Sequence, residues 1–208
     1  MRLGLFGGSF DPIHFGHLLL AESCREQSRL DQVWFVPAAT PPHKRQRELS
    51  PAVHRLEMLR LALGGHDSLQ VTTLELDRGG ISYTVDTLRE VQRQQPGAEL
   101  FLLMGADSLV DLPHWREPAE ICRMAVPLVV RRAGAPEPAF ELLRNVVSPD
   151  RLLAVQNHQV EMPVVGFSSS DIRQRVHERQ SIRYLTPRAV ETYIETHGLY
   201  REEAGYRT

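Results

Sequence analysis

The sequence predicts an α/β protein built on a doubly wound parallel sheet, and three observations carry that expectation. Short apolar runs recur along the chain and alternate with stretches whose apolar residues fall at three- and four-residue spacing. The first run, Leu3–Phe6, leads directly into a glycine-rich turn and a helix-like segment, as a strand of such a sheet does where it meets a ligand. The 208 residues are enough for one domain with a sizeable core.

Taken in order, strands are expected at Leu3–Phe6, Val33–Val36, Leu69–Leu74, Leu100–Met104, Val126–Val130 and Leu152–Val155, each a compact apolar run. Helices are expected at Phe15–Ser28, at Pro51–Leu63 behind Ser50 as its cap, at Thr84–Gln94 and at Pro118–Met124. Ala133–Pro138, rich in Ala, Gly and Pro, reads as a surface connection. Thr186-Pro187 reads as the capped start of a last helix that ends near Gly198. From about Phe167 the pattern is mainly helical, so residues 1–208 are expected to form a single domain in which 167–208 is a short helical C-terminal appendage.

Composition narrows the partners. With 24 basic and 26 acidic residues the formal net charge is −2, which provides no global field for holding nucleic acid; a small polyanion gripped locally fits better. No basic segment followed by a signal-like apolar run opens the chain, and no stretch approaches the roughly 18 apolar residues of a membrane span, so a cytoplasmic protein without a membrane partner is expected. Cys24 and Cys122, far apart, suggest packing residues rather than a disulfide or metal set.

The densest chemical signal is Gly7-Gly8-Ser9-Phe10-Asp11-Pro12-Ile13-His14-Phe15-Gly16-His17. Glycines at a strand exit permit positive φ and let a bulky ligand approach the backbone. Two histidines three apart near a helix N-terminus share a face where free N–H groups attract anions, and Gly16 clears space between them. The plainer alternative is a glycine-rich turn carrying two surface histidines. This loop has neither the three spaced glycines of a dinucleotide fingerprint nor the Lys-Ser/Thr ending of a P-loop.

Other segments fall at strand exits or helix starts. Pro37–Arg45 is a proline-stiffened loop with a basic end, in which Lys44 is the best candidate to meet charge on a transferring phosphate. Phe167-Ser168-Ser169-Ser170-Asp171-Ile172-Arg173 offers serine caps and a planar cation, a second anion site. Gly105-Ala106-Asp107 places a carboxylate where a ribose hydroxyl could be held. Trp115, in Leu112-Pro113-His114-Trp115-Arg116, could stack on a flat ring or simply be a rim aromatic. Ser82-Tyr83-Thr84-Val85-Asp86-Thr87-Leu88 is a capped helix start whose free amides could meet a carboxylate.

The opening loop resembles the HxGH signature of the nucleotidylyltransferase superfamily. With Pro41-Pro42-His43-Lys44, the Ser82–Leu88 segment, Gly105-Ala106-Asp107-Ser108-Leu109, Leu112–Trp115 and Ser168–Arg173 in the same order, nearly the whole chain resembles the bacterial nicotinate-nucleotide adenylyltransferases. The resemblance implies a Rossmann-like fold and transfer of AMP from ATP to nicotinate mononucleotide, giving deamido-NAD and pyrophosphate. It implies catalytic roles for His14, His17, Lys44 and Arg173. It implies an ATP site formed by Gly7, Gly8, Ser9, Phe10, His14, Gly16, His17, Gly105, Asp107, Phe167, Ser168, Ser169, Ile172 and Arg173. For nicotinate mononucleotide it implies Ser9, Lys44, Tyr83, Thr84, Leu112, Trp115, Arg116 and Arg132, with Arg131 and Arg132 undistinguished as the one facing the site. Two departures stand out: Ser170 where the family often has Thr, and Arg131-Arg132-Ala133-Gly134 without the usual proline before glycine.

The acceptor phosphate is already an anionic nucleophile, so the expected mechanism is in-line attack aided by positioning and charge stabilisation. Mg2+ is carried by the substrate phosphates, with no protein metal site. Rival readings are an adenylyltransferase for nicotinamide mononucleotide or phosphopantetheine, a nucleotide-binding regulator without turnover, and a tRNA synthetase relative, the last disfavoured by the short chain and balanced charge. Oligomeric state is not readable from the sequence.

Overall fold

The computed structural model of the chain describes residues 1–42, 49–132 and 136–201. Six strands form one parallel sheet: β1 (Arg2–Gly8), β2 (Gln32–Pro37), β3 (Leu69–Val71), β4 (Glu99–Gly105), β5 (Ala125–Arg132) and β6 (Val160–Met162). Their spatial order is β3-β2-β1-β4-β5-β6. The order reverses between β1 and β4, and ligands of open α/β sheets bind beyond the carboxyl ends of the strands at such a switch point. Register keeps those ends level, Gly8 opposite Pro37 on β2 and Leu5 opposite Leu102 on β4.

The central strands are apolar because both faces of the sheet are covered. Leu3, Leu5, Phe35, Phe101, Leu103 and Leu128 are all buried in one core. Helices α1 (Phe15–Gln27), α2 (Ala52–Leu63), α3 (Leu74–Arg78), α4 (Thr84–Gln94), α5 (Ala106–Asp111), α6 (Pro118–Met124), α7 (Pro149–Asn157), α8 (Ser169–His177) and α9 (Arg188–Thr196) cover it. In α4 the buried Val85, Leu88 and Val91 make one stripe, with Arg89 and Arg93 exposed. Cys24 and Cys122 are buried packing residues, and burial pushes their thiols up to about 12 and about 11. No described helix is long and apolar enough to cross a membrane.

Several expected elements are corrected. Leu152–Val155 is not a strand but the middle of α7; four apolar residues fit either state, and the Ser148 cap, which accepts the Arg151 amide at 3.3 Å, followed by Pro149 is the helix signal that decides. The sixth strand is the shorter Val160–Met162. The run from Leu69 breaks after Val71, and Leu74 begins α3. Ser50 does not cap α2, whose N-cap is Pro51; the Ser50 amide donates to Asp11 Oδ2 at 3.3 Å and its carbonyl accepts from Arg55 Nε at 3.0 Å. Thr186 does not cap α9 either: its buried hydroxyl donates to the Ile13 carbonyl at 2.7 Å, tying the C-terminal part to the opening loop.

Candidate nucleotide-binding site

A cavity of about 370 Å³ opens at the switch point. One wall is Gly7, Gly8 and Ser9 at the end of β1; facing it are Tyr83 and Thr84 at the start of α4, Gly105 at the end of β4, and Trp115 and Arg116. Glu75, Ser82 and Thr87 also line it. These segments are far apart in sequence and meet because each leaves or follows a carboxyl end of the same sheet.

The glycines act differently from expectation. Gly7 and Gly8 do not take positive φ but continue β1; the left-handed residue is Phe10, with φ 48°. A Cβ on Gly7 would meet nothing within 4 Å, so the missing side chain leaves open space on the cavity wall. A Cβ on Gly8 would lie 2.9 Å from Phe10 Cζ, and one on Gly16 would lie 3.0 Å from both Cε1 and Nδ1 of His14. Gly8 therefore admits the Phe10 ring, and Gly16 admits the His14 ring.

His14 is the N-cap residue of α1, with extended backbone, and His17 is three residues on. Their rings stack with centroids 3.7 Å apart. The His14 amide donates to His17 Nδ1 at 3.3 Å, which requires that nitrogen to be unprotonated and places the neutral proton on Nε2. Phe10 packs edge-on against His17, centroids 5.2 Å apart. His14 is 6 % exposed, its Nδ1 has no partner among the described residues, and burial pushes its imidazole down to about 4. At neutral pH His14 is therefore uncharged in the free protein.

The Phe167–Arg173 segment packs against this loop. Ser168 Oγ caps α8 by accepting the Asp171 amide at 3.0 Å, and the Ser169 hydroxyl donates to the Pro12 carbonyl at 2.9 Å. Arg173 donates to the Asp11 carbonyl at 2.5 Å and to Ser170 Oγ at 2.9 Å. An ideal Cβ at Gly16 would stand 3.7 Å from Phe167 Cβ, so Phe167 borders the histidine pair.

Other expected residues stand differently. The side chains of Phe10, Ile172 and Leu112 are in the core, at 1 %, 1 % and 0 % exposure, so none presents a side-chain surface to a ligand. Leu112 instead contributes its carbonyl, which accepts the Trp115 amide at 3.1 Å. Asp107 is exposed in the first turn of α5 and is not on the cavity wall. Arg116 lies over the Tyr83 ring at 4.8 Å and reaches Asp86 at 3.5 Å. Arg131 pairs with Glu137 and Glu161. Lys44 and the side chain of Arg132 lie outside the described residues.

Three groups in and around the site carried no role in the sequence reading. Asp11, 1 % exposed, accepts the Tyr200 hydroxyl at 2.6 Å. Arg55, 2 % exposed, donates to the Ser9 carbonyl at 3.0 Å and so braces the glycine wall. Glu75 lines the cavity with its carboxyl pushed up by burial. Asp11 stood inside the quoted motif; Arg55 and Glu75 look like ordinary helix charges until the fold buries them.

An all-parallel sheet with a cavity and an imidazole pair at its switch point defines a nucleotide-binding α/β protein. Residues 5–175 match the family model described as cytidylyltransferase-like. The chain is 49 % identical over 201 residues to a protein of Thermus thermophilus and 45 % identical over 201 residues to one from Thermomicrobium roseum; both carry the name "Probable nicotinate-nucleotide adenylyltransferase". Those alignments cover 97 % and 96 % of this chain and 100 % and 92 % of the relatives. The fold is also that of the Plasmodium falciparum nicotinic acid mononucleotide adenylyltransferase complexed with NaAD, with TM-score 0.72 and 17 % identity over 96 % of this chain and 97 % of that one. The chain belongs to the nicotinate-nucleotide adenylyltransferase family of cytidylyltransferase-like nucleotidyltransferases.

Proposed function

We propose that the cavity takes nicotinate mononucleotide and that ATP lies across the histidine loop, the 5′-phosphate of the first attacking the α-phosphorus of the second. The new bond joins acceptor oxygen to α-phosphorus, the bond to the bridging oxygen breaks, and pyrophosphate leaves. The observation that carries this reading is the cavity itself: the Gly7–Ser9 wall that leads into the histidine pair faces Thr84, whose amide has no hydrogen-bond partner among the described residues, and Trp115. A pyridine ring stacked on Trp115 would bring its carboxylate to that helix start.

In this reading His14, His17 and Arg173 stabilise the phosphates and Lys44 approaches the reacting phosphorus, while Gly7 and Gly8 let the nucleotide reach the backbone. Removing one such donor costs about 3 kcal/mol in the barrier. Among the described residues no group of three or more His, Cys, Asp or Glu could hold a metal ion. Magnesium is assigned to the ATP phosphates as part of the substrate. Residues 1–208 are taken as one catalytic domain with 167–208 as its helical C-terminal part, acting in the cytoplasm on small molecules and not on nucleic acid.

The test is pyrophosphate release from ATP and magnesium with nicotinate mononucleotide, nicotinamide mononucleotide or phosphopantetheine supplied in parallel. Preference for the nicotinate compound supports the assignment. Preference for another acceptor keeps the chemistry and overturns the acceptor, and ATP binding without release from any acceptor makes the protein a nucleotide sensor.

A further inference from the structure

Glu75 is an acidic residue, 7 % exposed, in the wall of a cavity assigned to an anionic acceptor. Such a group is costly unless donors surround it, and they do. The Thr87 hydroxyl donates to Glu75 Oε1 at 2.6 Å, and the nearby Ser82 side chain favours the charged form of this carboxyl group. Arg78 adds its charge nearby and donates to Thr87 Oγ1 at 3.1 Å.

The two hydroxyls stand on either side of the start of α4. Ser82 precedes Tyr83 and Thr84, and Thr87 follows them by one turn. Ser82 also joins this edge to the loop after β2: its Oγ accepts the Ala39 amide at 2.9 Å and its own amide donates to the Thr40 carbonyl at 2.9 Å. Glu75 thus holds Thr87, one turn into α4 from Thr84, while Ser82 ties this helix start to the root of the loop that leads toward Pro41 and Pro42 on the cavity wall.

We propose that Glu75 is a positioning residue for acceptor recognition: by anchoring Thr87, beside Ser82, it sets the Thr84 amide at the start of α4 against the cavity, and with it the preference for an acidic over a neutral pyridine ring. This rests on the acceptor assigned above. An apolar side chain at 75 takes the 2.6 Å acceptor from the Thr87 hydroxyl and leaves it the Tyr83 carbonyl at 3.4 Å, whereas an amide keeps an acceptor oxygen and loses the charge. Loss of the anchor loosens the amide edge, which contacts the acceptor and not ATP.

The experiment is steady-state kinetics of wild type, Glu75→Ala and Glu75→Gln, varying ATP, nicotinate mononucleotide and nicotinamide mononucleotide separately, with thermal unfolding alongside. In Glu75→Ala the KM for nicotinate mononucleotide rises about tenfold and its advantage in kcat/KM over the amide falls by a similar factor. In Glu75→Gln the same changes are about threefold, and in both variants the KM for ATP stays within about twofold. If Glu75→Ala does not fold, Glu75→Gln decides alone. Unchanged acceptor KM and preference in a folded Glu75→Gln overturns the inference, as does an equal rise in both substrates' KM. A wild-type protein inactive with nicotinate mononucleotide overturns the acceptor assignment and the inference with it; an active wild type with indifferent variants overturns the inference alone.

Discussion

The Tyr200 hydroxyl donates to Asp11 Oδ1 at 2.6 Å, joining the C-terminal segment to the opening loop across 189 residues of sequence. Asp11 also accepts the Ser50 amide at 3.3 Å, and its carbonyl takes Arg173. The loop that presents the histidines is thus held by Ser50, Arg173 and Tyr200 through one residue.

Tyr200→Phe removes that donor from a buried carboxylate. We expect a loss of about 1–3 kcal/mol in unfolding free energy, measured by urea denaturation. A midpoint and slope equal to those of the wild type would show that the bond holds nothing.

Gly16→Ala brings a methyl group to 3.0 Å from two atoms of the His14 ring. Gly16 is in α1 and has no positive φ, so the helix tolerates alanine and stability stays near wild type. Because the ring must shift, kcat/KM falls at least about tenfold, as displacement of a catalytic group by a fraction of an ångström does. Activity within twofold of wild type refutes the claim that this glycine exists for the imidazole.

Gly7→Val tests the open wall. With nothing within 4 Å of a Cβ and a strand backbone that suits valine, the folded state should lose less than about 0.5 kcal/mol. The added methyls project into the cavity and raise the KM of at least one substrate. A variant with unchanged KM for both would place the substrates elsewhere.

His14 makes stability depend on pH. Its folded value of about 4 lies below the ordinary 6.5, so the unfolded chain takes up the proton first as pH falls. Stability relative to a His14→Gln variant is therefore lost progressively from about pH 6.5 and fully below about pH 4, by up to about 3 kcal/mol. Denaturation of both proteins at several pH values reads the difference. A constant gap from pH 7.5 to 4.5 would mean that His14 titrates normally.

Local chemistry made much of this protein readable. Leu3–Phe6 followed by Gly7-Gly8, and Leu100–Met104 followed by Gly105, announce strands that end at the cavity because apolar runs and glycines act within a few residues. Ser168 announces its cap for the same reason. The short run Leu152–Val155 could not be read, since four apolar residues satisfy either a strand or a helix until neighbouring packing chooses.

The sequence by itself determined the alternation of elements and the histidine loop at the exit of the first strand, because these depend on spacing along the chain. Only the tertiary structure decided which of them share a wall, that Phe10, Ile172 and Leu112 turn inward, and that Glu75, Arg55 and Tyr200 brace the site. Burial and long-range hydrogen bonds arise when segments distant in sequence meet, and no local pattern encodes where a charged side chain will find its partner.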